Sequence, residues 1–202
     1  AKEWNNAISG KNFFVLPMAQ TSTTGYSNLG QFHDSELGIY KAPNWFSGVS
    51  SNALAITQFY GYLKTDNSLG SYIELSHADI LVNYRDFGSE LVYDLNRFLD
   101  FDIPTILLHE MGHFLGMCHD NSHSSVMRSS YNGIQRGLYT FDKTKLTDLY
   151  INNKNTLSSV QAQSKAVTLP PGTFVKGTVE LSSDGQCRHY INGKLVSEHF
   201  IE

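Results

Sequence analysis

The sequence predicts an α+β fold. Segments rich in β-branched and aromatic residues, separated by Gly, Ser, Asn and Pro, occupy much of the chain before residue 100 and return after residue 170. Between them, residues 100–116 and 141–150 show the spacing of apolar residues that is typical of helices. A chain of 202 residues buries about 70% of its unfolded surface, so it can build a core without covalent staples.

The first half of the chain predicts a short helix, then strands, then a second helix. AKEWNNAIS has helical spacing that Gly10 ends. FFVL, LGIY, ALAITQFYGYL and SYIELSHADILVNY have the composition of strands. Asp102 is suited to cap the following helix, Pro104 fits its first turn, and the helical pattern ends at Gly116.

The second half predicts a loop, a helix and a β-rich tail. SSVMRSSYNGIQRG has no clear period, whereas FDKTKLTDLY is helical, with Asp142 as a cap. Linker composition that ends in LPPG predicts a boundary near residue 155. TFVKGTVEL and CRHYINGKLVSEHF predict strands, with a hairpin turn at Asn192 and Gly193. We therefore expect a domain over residues 1–155 and a β-hairpin extension over 156–202.

Composition and charge exclude several classes of function. The formal net charge is −4 and the 15 basic residues are scattered, which argues against binding to nucleic acid. The apolar runs are far shorter than the roughly 20 residues of a membrane span. The chain begins at Ala1 on a helical pattern, so we expect that a leader or propeptide has been removed. We also expect a secreted or periplasmic monomer, which the high Asn, Ser, Tyr and Gly content with few Lys favours.

Three of the eight histidines lie in HEMGHFLGMCH, residues 109–119. Each helical residue turns by about 100° around the helix axis, so the side chains of His109 and His113 differ in direction by only about 40°. Both imidazoles can therefore point to one place. Glu110 shares their side of the helix, and the opposite side is apolar: Ile103, Leu107, Leu108, Met111, Phe114 and Leu115. The histidines are therefore not needed for packing.

A glycine after the second histidine favours a metal site. Gly116 permits a positive-φ break that ends the helix, so that His119 can turn back toward the other two imidazoles. Three neutral imidazoles suit Zn²⁺ and leave a coordination position for water. Glu110 is then suited to be a general base rather than a ligand. The alternative is three ordinary core or surface histidines, which the full spacing disfavours.

These residues resemble the extended zinc motif of the metzincin peptidases, and most of all its matrixin branch. Met127 stands eight residues after His119, where that branch has its Met-turn. VMRSSY, FDKTKLTDLY and HADILVN are also similar to matrixin segments, so the resemblance covers roughly residues 1–155. Asp120 after the third histidine is similar to the adamalysin branch instead, and Ser129 stands where matrixins usually have a proline.

The resemblance implies a twisted, mostly parallel sheet with helices, an active-site helix and a small lower subdomain. It implies that an extended peptide pairs with an edge strand above one catalytic zinc ion. Met127 would support the zinc site from below, and Tyr131 would line the wall of a substrate pocket. The histidine and aspartate array that binds structural zinc and calcium in animal matrixins is not found, although a structural Ca²⁺ is not excluded.

The two cysteines leave three alternatives open. Cys118 precedes the third histidine, so a disulfide with Cys187 would staple the tail beside the site. Alternatively, the Cys187 thiolate binds the zinc and silences the enzyme, or both thiols are free.

We therefore expect a secreted, bacterial zinc endopeptidase that acts on extended peptide or protein substrates. The competing hypotheses are a zinc-stabilised adhesion or binding protein, an enzyme that is kept latent by its C-terminal extension, and an enzyme that hydrolyses a non-peptide amide.

Overall fold

The structure, a computed structural model, describes residues 1–19, 26–34, 36–66, 70–93, 100–152, 170–183 and 186–200. Its helices are α1 (Lys2–Asn5), a 3₁₀ helix η1 (Leu29–Phe32), α2 (Tyr84–Phe87), α3 (Ile103–Phe114) and α4 (Thr140–Tyr150). The two long helices coincide with the two helical patterns that the sequence predicts.

Six strands form the main sheet, in the order β1-β3-β2-β6-β7-β8. They are β1 (Ile39–Ala42), β2 (Ala53–Asp66), β3 (Gly70–Asn83), β6 (Phe174–Ser182), β7 (Gln186–Ile191) and β8 (Lys194–Phe200). A second, two-stranded sheet joins β4 (Leu91–Val92) to β5 (Phe101–Asp102), just before α3. The α+β class is confirmed.

The expectation of a mostly parallel sheet is wrong. In the main sheet only β1 and β3 pair in parallel, whereas β2 pairs antiparallel with both β3 and β6. Parallel neighbours need a crossover of about a dozen residues or more. β2 ends at Asp66 and β3 begins at Gly70, which is too close in sequence for such a crossover.

A cluster of buried side chains lies on each face of the sheet. Successive residues of a strand point to opposite faces, and Ile80 belongs to one cluster while its neighbour Leu81 belongs to the other. The first cluster packs α3 and α4 against the sheet, and the second covers the far face with aromatic residues from the chain around β1. The first cluster therefore fixes the helix that carries two of the histidines.

The N-terminal segment departs from the prediction. No strand forms over FFVL, because the side chain of Asn5 binds the backbone of Phe14: Nδ2 donates to the carbonyl oxygen at 2.7 Å and Oδ1 accepts from the amide at 2.9 Å. Helix α1 is also shorter than predicted, and a turn precedes the positive-φ residue Gly10. Trp4 of α1 is fully buried and donates to the carbonyl oxygen of Leu108 at 2.9 Å.

The C-terminal extension contributes to the main sheet. β6 pairs with β2 along most of its length and buries Val175 and Leu181 almost completely. The predicted hairpin turn is confirmed, since Asn192 and Gly193 both have positive φ between β7 and β8. The predicted boundary near residue 155 lies outside the described residues, so the division into 1–155 and 156–202 stays a prediction.

No helix in the described part of the chain has the length and apolarity that a membrane span would require.

Candidate metal centre

Helix α3 begins as the sequence predicts. The carboxylate of Asp102 accepts a hydrogen bond from the backbone amide of Thr105 at 3.0 Å, and Pro104 lies in the first turn. The side that carries the histidines is not exposed, however: His109 and His113 are 3% and 5% exposed, and Glu110 is 0% exposed. The chain after α3 and strand β2 enclose this side, so the reactive groups lie in a region of low dielectric.

The helix ends in a Schellman motif at Gly116, whose φ is +83°. The amide of Gly116 donates to the carbonyl oxygen of His113 at 2.8 Å, and the amide of Met117 donates to that of Gly112 at 2.9 Å. A left-handed residue at this place reverses the chain, which brings His119 back to the first two histidines. The predicted role of this glycine is confirmed.

The three imidazoles meet at their Nε2 atoms. The Nε2 separations are 3.0 Å for His109 and His113, 2.9 Å for His113 and His119, and 3.1 Å for His119 and His109. A single ion can lie about 2.0–2.1 Å from three nitrogens at these separations, the distance that zinc prefers. Among the described residues, these three form the group of metal-ligating side chains that could hold an ion.

Hydrogen bonds at the other ring nitrogens fix the tautomers of two histidines. His109 Nδ1 lies 2.8 Å from the carbonyl oxygen of Val126, and His113 Nδ1 lies 2.8 Å from that of Met117. A carbonyl only accepts, so both Nδ1 atoms donate and both Nε2 atoms present lone pairs to each other. Burial also lowers the pKa of His109 to about 4, against a smaller opposing effect of the Val126 hydrogen bond. Neutral rings with convergent lone pairs fit a cation such as zinc.

Glu110 lies beside the histidines and contacts strand β2. Its Oε2 accepts a hydrogen bond from Thr57 Oγ1 at 2.6 Å, whereas its Oε1 is buried and has no hydrogen-bond partner among the described residues. Burial raises the pKa of Glu110 to about 8, the Thr57 hydrogen bond opposes this shift, and the charge of Glu180 adds to it. A pKa close to neutral is suited to a group that accepts and releases a proton.

Met127 lies under the helix, in the place that the resemblance implies for a Met-turn. It is fully buried, and its carbonyl oxygen accepts from the amide of Asp120 at 2.8 Å. Gly112 leaves the space for it, because a Cβ atom there would overlap Met127 Sδ and approach the Trp4 ring to 3.0 Å. The role of Met127 as a support for the zinc site stays a prediction.

We expect Gly112→Ala to destabilise the protein by about 1–3 kcal/mol, since the added methyl group overpacks a filled site. Chemical denaturation measures this change. Gly137→Ala is the control, because among the described residues a Cβ atom at Gly137 approaches only Glu3 Oε2, at 3.9 Å. Equal stability of the two variants would show that Met127 moves without cost.

Asp142 of α4 ties the loop around Met127 to the protein. Its carboxylate is fully buried and accepts from Ser125 Oγ at 2.5 Å, the amide of Val126 at 3.1 Å and the amide of Tyr139 at 2.9 Å. The sequence predicts Asp142 as the residue that caps the helix, but the N-cap is Tyr139 and Asp142 is the third helical residue, whose carboxylate accepts from the Tyr139 amide. The same residue also holds Val126, whose carbonyl oxygen orients His109.

The segment that follows Met127 is anchored on both sides. Ser129, where matrixins usually have proline, is fully buried, and its amide donates to Asn121 Oδ1 at 3.1 Å. A proline has no N–H for this bond, so the departure from the family pattern has a local reason. Tyr131 is half-buried, packs edge-on against Phe101 and accepts from the amide of Asp102 at 3.0 Å.

An ion pair links the end of this segment to the start of α3. Arg136 donates to the carboxylate of Asp102 through Nε at 3.1 Å and Nη2 at 2.6 Å. Burial alone raises the pKa of Asp102, but the hydrogen bonds from Arg136 and Thr105 outweigh it, so the pKa lies below its usual value. The amide of Gln135 also donates to Thr105 Oγ1 at 2.8 Å. Helix α3 and the loop after Met127 are thus held together.

Cys118 carries a free, half-buried thiol, and burial raises its pKa to about 12. Such a thiol is a poor nucleophile and a poor metal ligand. The free thiol of Cys118 is at odds with the predicted Cys118–Cys187 disulfide. The side chain of Cys187 lies outside the described part of the structure, so a Cys187 zinc ligand stays a prediction.

Three residues near the site were not assigned a site role from the sequence. Thr57 lies in an ordinary strand pattern, Arg136 lies in a segment without periodicity, and Asp142 is predicted only as a cap. Their partners are far away in the chain, so local spacing carries no signal for these contacts. Asp102, the partner of Arg136, does have a sequence signal, because its position before Pro104 marks the start of a helix.

Comparison with known proteins adds one finding. The family model described as Matrixin matches residues 32–151, which is more than half of the chain. Searches among curated proteins and solved structures gave no match. The matched range contains α3, the three histidines and Met127, and the histidine cluster fits the zinc motif HExxHxxGxxH. The chain therefore belongs to the matrixin family, which supports a zinc-dependent metallopeptidase.

Proposed function

We propose that this protein is a zinc endopeptidase that hydrolyses extended peptide substrates. His109, His113 and His119 hold one zinc ion through Nε2, and Glu110 is the general base. The observation that carries the proposal is the convergence of three Nε2 atoms within 3.1 Å of one another, beside a buried carboxylate.

A zinc ion held by the three histidines would supply two effects, a lowered pKa of the attacking water and polarisation of the scissile carbonyl. Glu110 takes the proton from this water through a carboxylate oxygen. It then delivers the proton to the amine nitrogen of the leaving peptide. His109 and His113 keep their orientation through the carbonyl oxygens of Val126 and Met117.

Tyr131 is proposed as a wall of the substrate pocket and Met127 as a support below the zinc. Two contacts support a fixed position for Tyr131: its hydroxyl accepts a hydrogen bond from the amide of Asp102, and its ring packs on Phe101. We propose a monomer that acts outside the cell or in the periplasm, in line with the matrixin family.

Cleavage of denatured casein or a peptide library, with and without chelator, tests the proposal. We expect cleavage that a chelator abolishes and one equivalent of zinc restores. Mass spectrometry of the products gives the cleavage preference. A zinc-loaded protein that cleaves no peptide would instead favour an adhesion or binding function, and cleavage of a small amide alone would favour the third hypothesis.

Zinc removal is also expected to lower stability. A ligand that binds only the folded state stabilises it by about 4 kcal/mol when the free ligand concentration is roughly 1,000 times the Kd. We therefore expect a lower Tm after dialysis against chelator, with recovery on addition of zinc. An unchanged Tm in the metal-free protein would contradict a zinc site made of three buried or half-buried histidines.

The second candidate is a latent form of the same enzyme, and the position of β6 favours it. β6 occupies the edge of β2 beside the site, with Val179 opposite Thr57. Its last residue, Ser182, bridges Ser130 and accepts from the amide of Tyr131 at 3.4 Å. Because metzincin substrates are implied to add to a strand edge, the extension would compete with them.

A protease site inserted between residues 153 and 169 of the full chain tests this latency. If β6 blocks the substrate, nicking followed by removal of the tail raises peptide cleavage at constant zinc content. Unchanged activity of the separated domain, with an unchanged Tm, would mean that β6 is part of the scaffold.

A further inference from the structure

Strand β2 places a hydroxyl group against the carboxylate of Glu110. Thr57 Oγ1 lies 2.6 Å from Glu110 Oε2 and 3.1 Å from the backbone carbonyl oxygen of the same residue. Both residues are 0% exposed. The hydroxyl has a single proton, and the shorter contact to the carboxylate is the stronger bond.

The fold holds this hydroxyl rigidly. Thr57 lies in the middle of the sheet, opposite Ile80 of β3 on one side and Val179 of β6 on the other. Its β-branched side chain has few rotamers, and both neighbouring strands fix its backbone. The distance between Thr57 and Glu110 is therefore set by the packing of α3 on the sheet.

One carboxylate oxygen of Glu110 is bound and the other is not. Oε2 accepts from Thr57, whereas Oε1 is buried and finds no hydrogen-bond partner in the part of the chain that the structure describes. A buried acceptor of this kind is costly for stability and is retained where it has a use. The hydrogen bond to Oε2 fixes the rotation of the carboxylate plane, and this fixes the direction in which Oε1 points.

We propose that Thr57 is a positioning residue, which holds Glu110 Oε2 so that Oε1 is the oxygen that takes the proton from the attacking water. The inference depends on the proposed role of Glu110 as general base. It adds a residue from the sheet, 53 positions before Glu110 in sequence, to the residues that set the rate of peptide hydrolysis.

Substitution of Thr57 by valine and by serine tests the proposal. Valine keeps the shape and β-branching but removes the hydroxyl, whereas serine keeps the hydroxyl. We expect Thr57→Val to lower kcat about 10- to 100-fold with little change in KM, as for a misplaced catalytic group. Thr57→Ser should restore most of the lost kcat.

Readouts other than activity separate positioning from folding. Zinc content and the visible spectrum of the cobalt-substituted protein should be the same in Thr57→Val and wild type, whereas the Tm should fall because Glu110 Oε2 loses its donor. Thr178→Val is the matched control, since Thr178 of β6 is also buried but pairs with Gln58 and faces the other side of the sheet. This control should keep full kcat. If Thr57→Val does not fold, the smaller Thr57→Ala takes its place.

Two results would overturn the inference: an unchanged kcat in a folded variant without the hydroxyl, or a serine variant that is as slow as the valine variant. Glu110→Ala distinguishes this failure from failure of the proposed function. If Glu110→Ala is inactive and Thr57→Val is fully active, only the role of Thr57 is wrong. If Glu110→Ala is fully active, the general base itself is wrong.

Discussion

Glu110→Ala is expected to retain one zinc per chain and to lower kcat/KM about 10²- to 10⁴-fold, the usual contribution of a general acid and base. The side chain is not needed for metal binding, because the three histidines converge without it. Peptide cleavage, measured with the zinc content of the same sample, gives the result. Undiminished proteolysis would reject the mechanism.

A Glu110 variant should lose activity without losing stability. One oxygen of the buried carboxyl has no hydrogen-bond partner within the described ranges, so the protein loses little stability when the carboxyl is replaced. We expect Glu110→Gln to be at least as stable as wild type while it is inactive. Glu74→Gln, at an exposed residue that pairs with Lys64, is the control that should keep both stability and activity.

Asp142→Ala is expected to destabilise the protein by about 3–5 kcal/mol, because it leaves two buried donors and the part-buried amide of Tyr139 without an acceptor. It should also weaken zinc binding, since Asp142 holds Val126 and the Val126 carbonyl oxygen orients His109. Chemical denaturation and zinc titration measure the two effects.

The control for this prediction is Asp148→Ala in the same helix, whose carboxylate binds Asn152 at an exposed site. Its effect should stay below about 1 kcal/mol. A stable Asp142→Ala variant with unchanged zinc affinity would show that the loop around Met127 holds its shape without α4.

Local sequence rules were sufficient for α3 and its end. A cap at Asp102, a proline in the first turn and a glycine at the end are interactions between residues a few positions apart, so a pattern can reveal them. The same holds for the turn at Asn192 and Gly193. FFVL has the composition of a strand, but the side chain of Asn5 binds its backbone, and composition alone does not reveal that contact.

The chain by itself determined the metal chemistry: three histidines at spacings of one helical turn and one glycine break, with a carboxylate beside the first, allow few arrangements other than a shared ion. Tertiary structure decided everything that depends on partners distant in sequence. It placed Thr57 on Glu110, Asp142 under the loop around Met127, Arg136 on Asp102, and β6 along the edge of β2. Backbone geometry fixes the relative positions of residues that are close in sequence, so the sequence alone predicts them. Contacts across the sheet depend instead on how whole helices and strands pack.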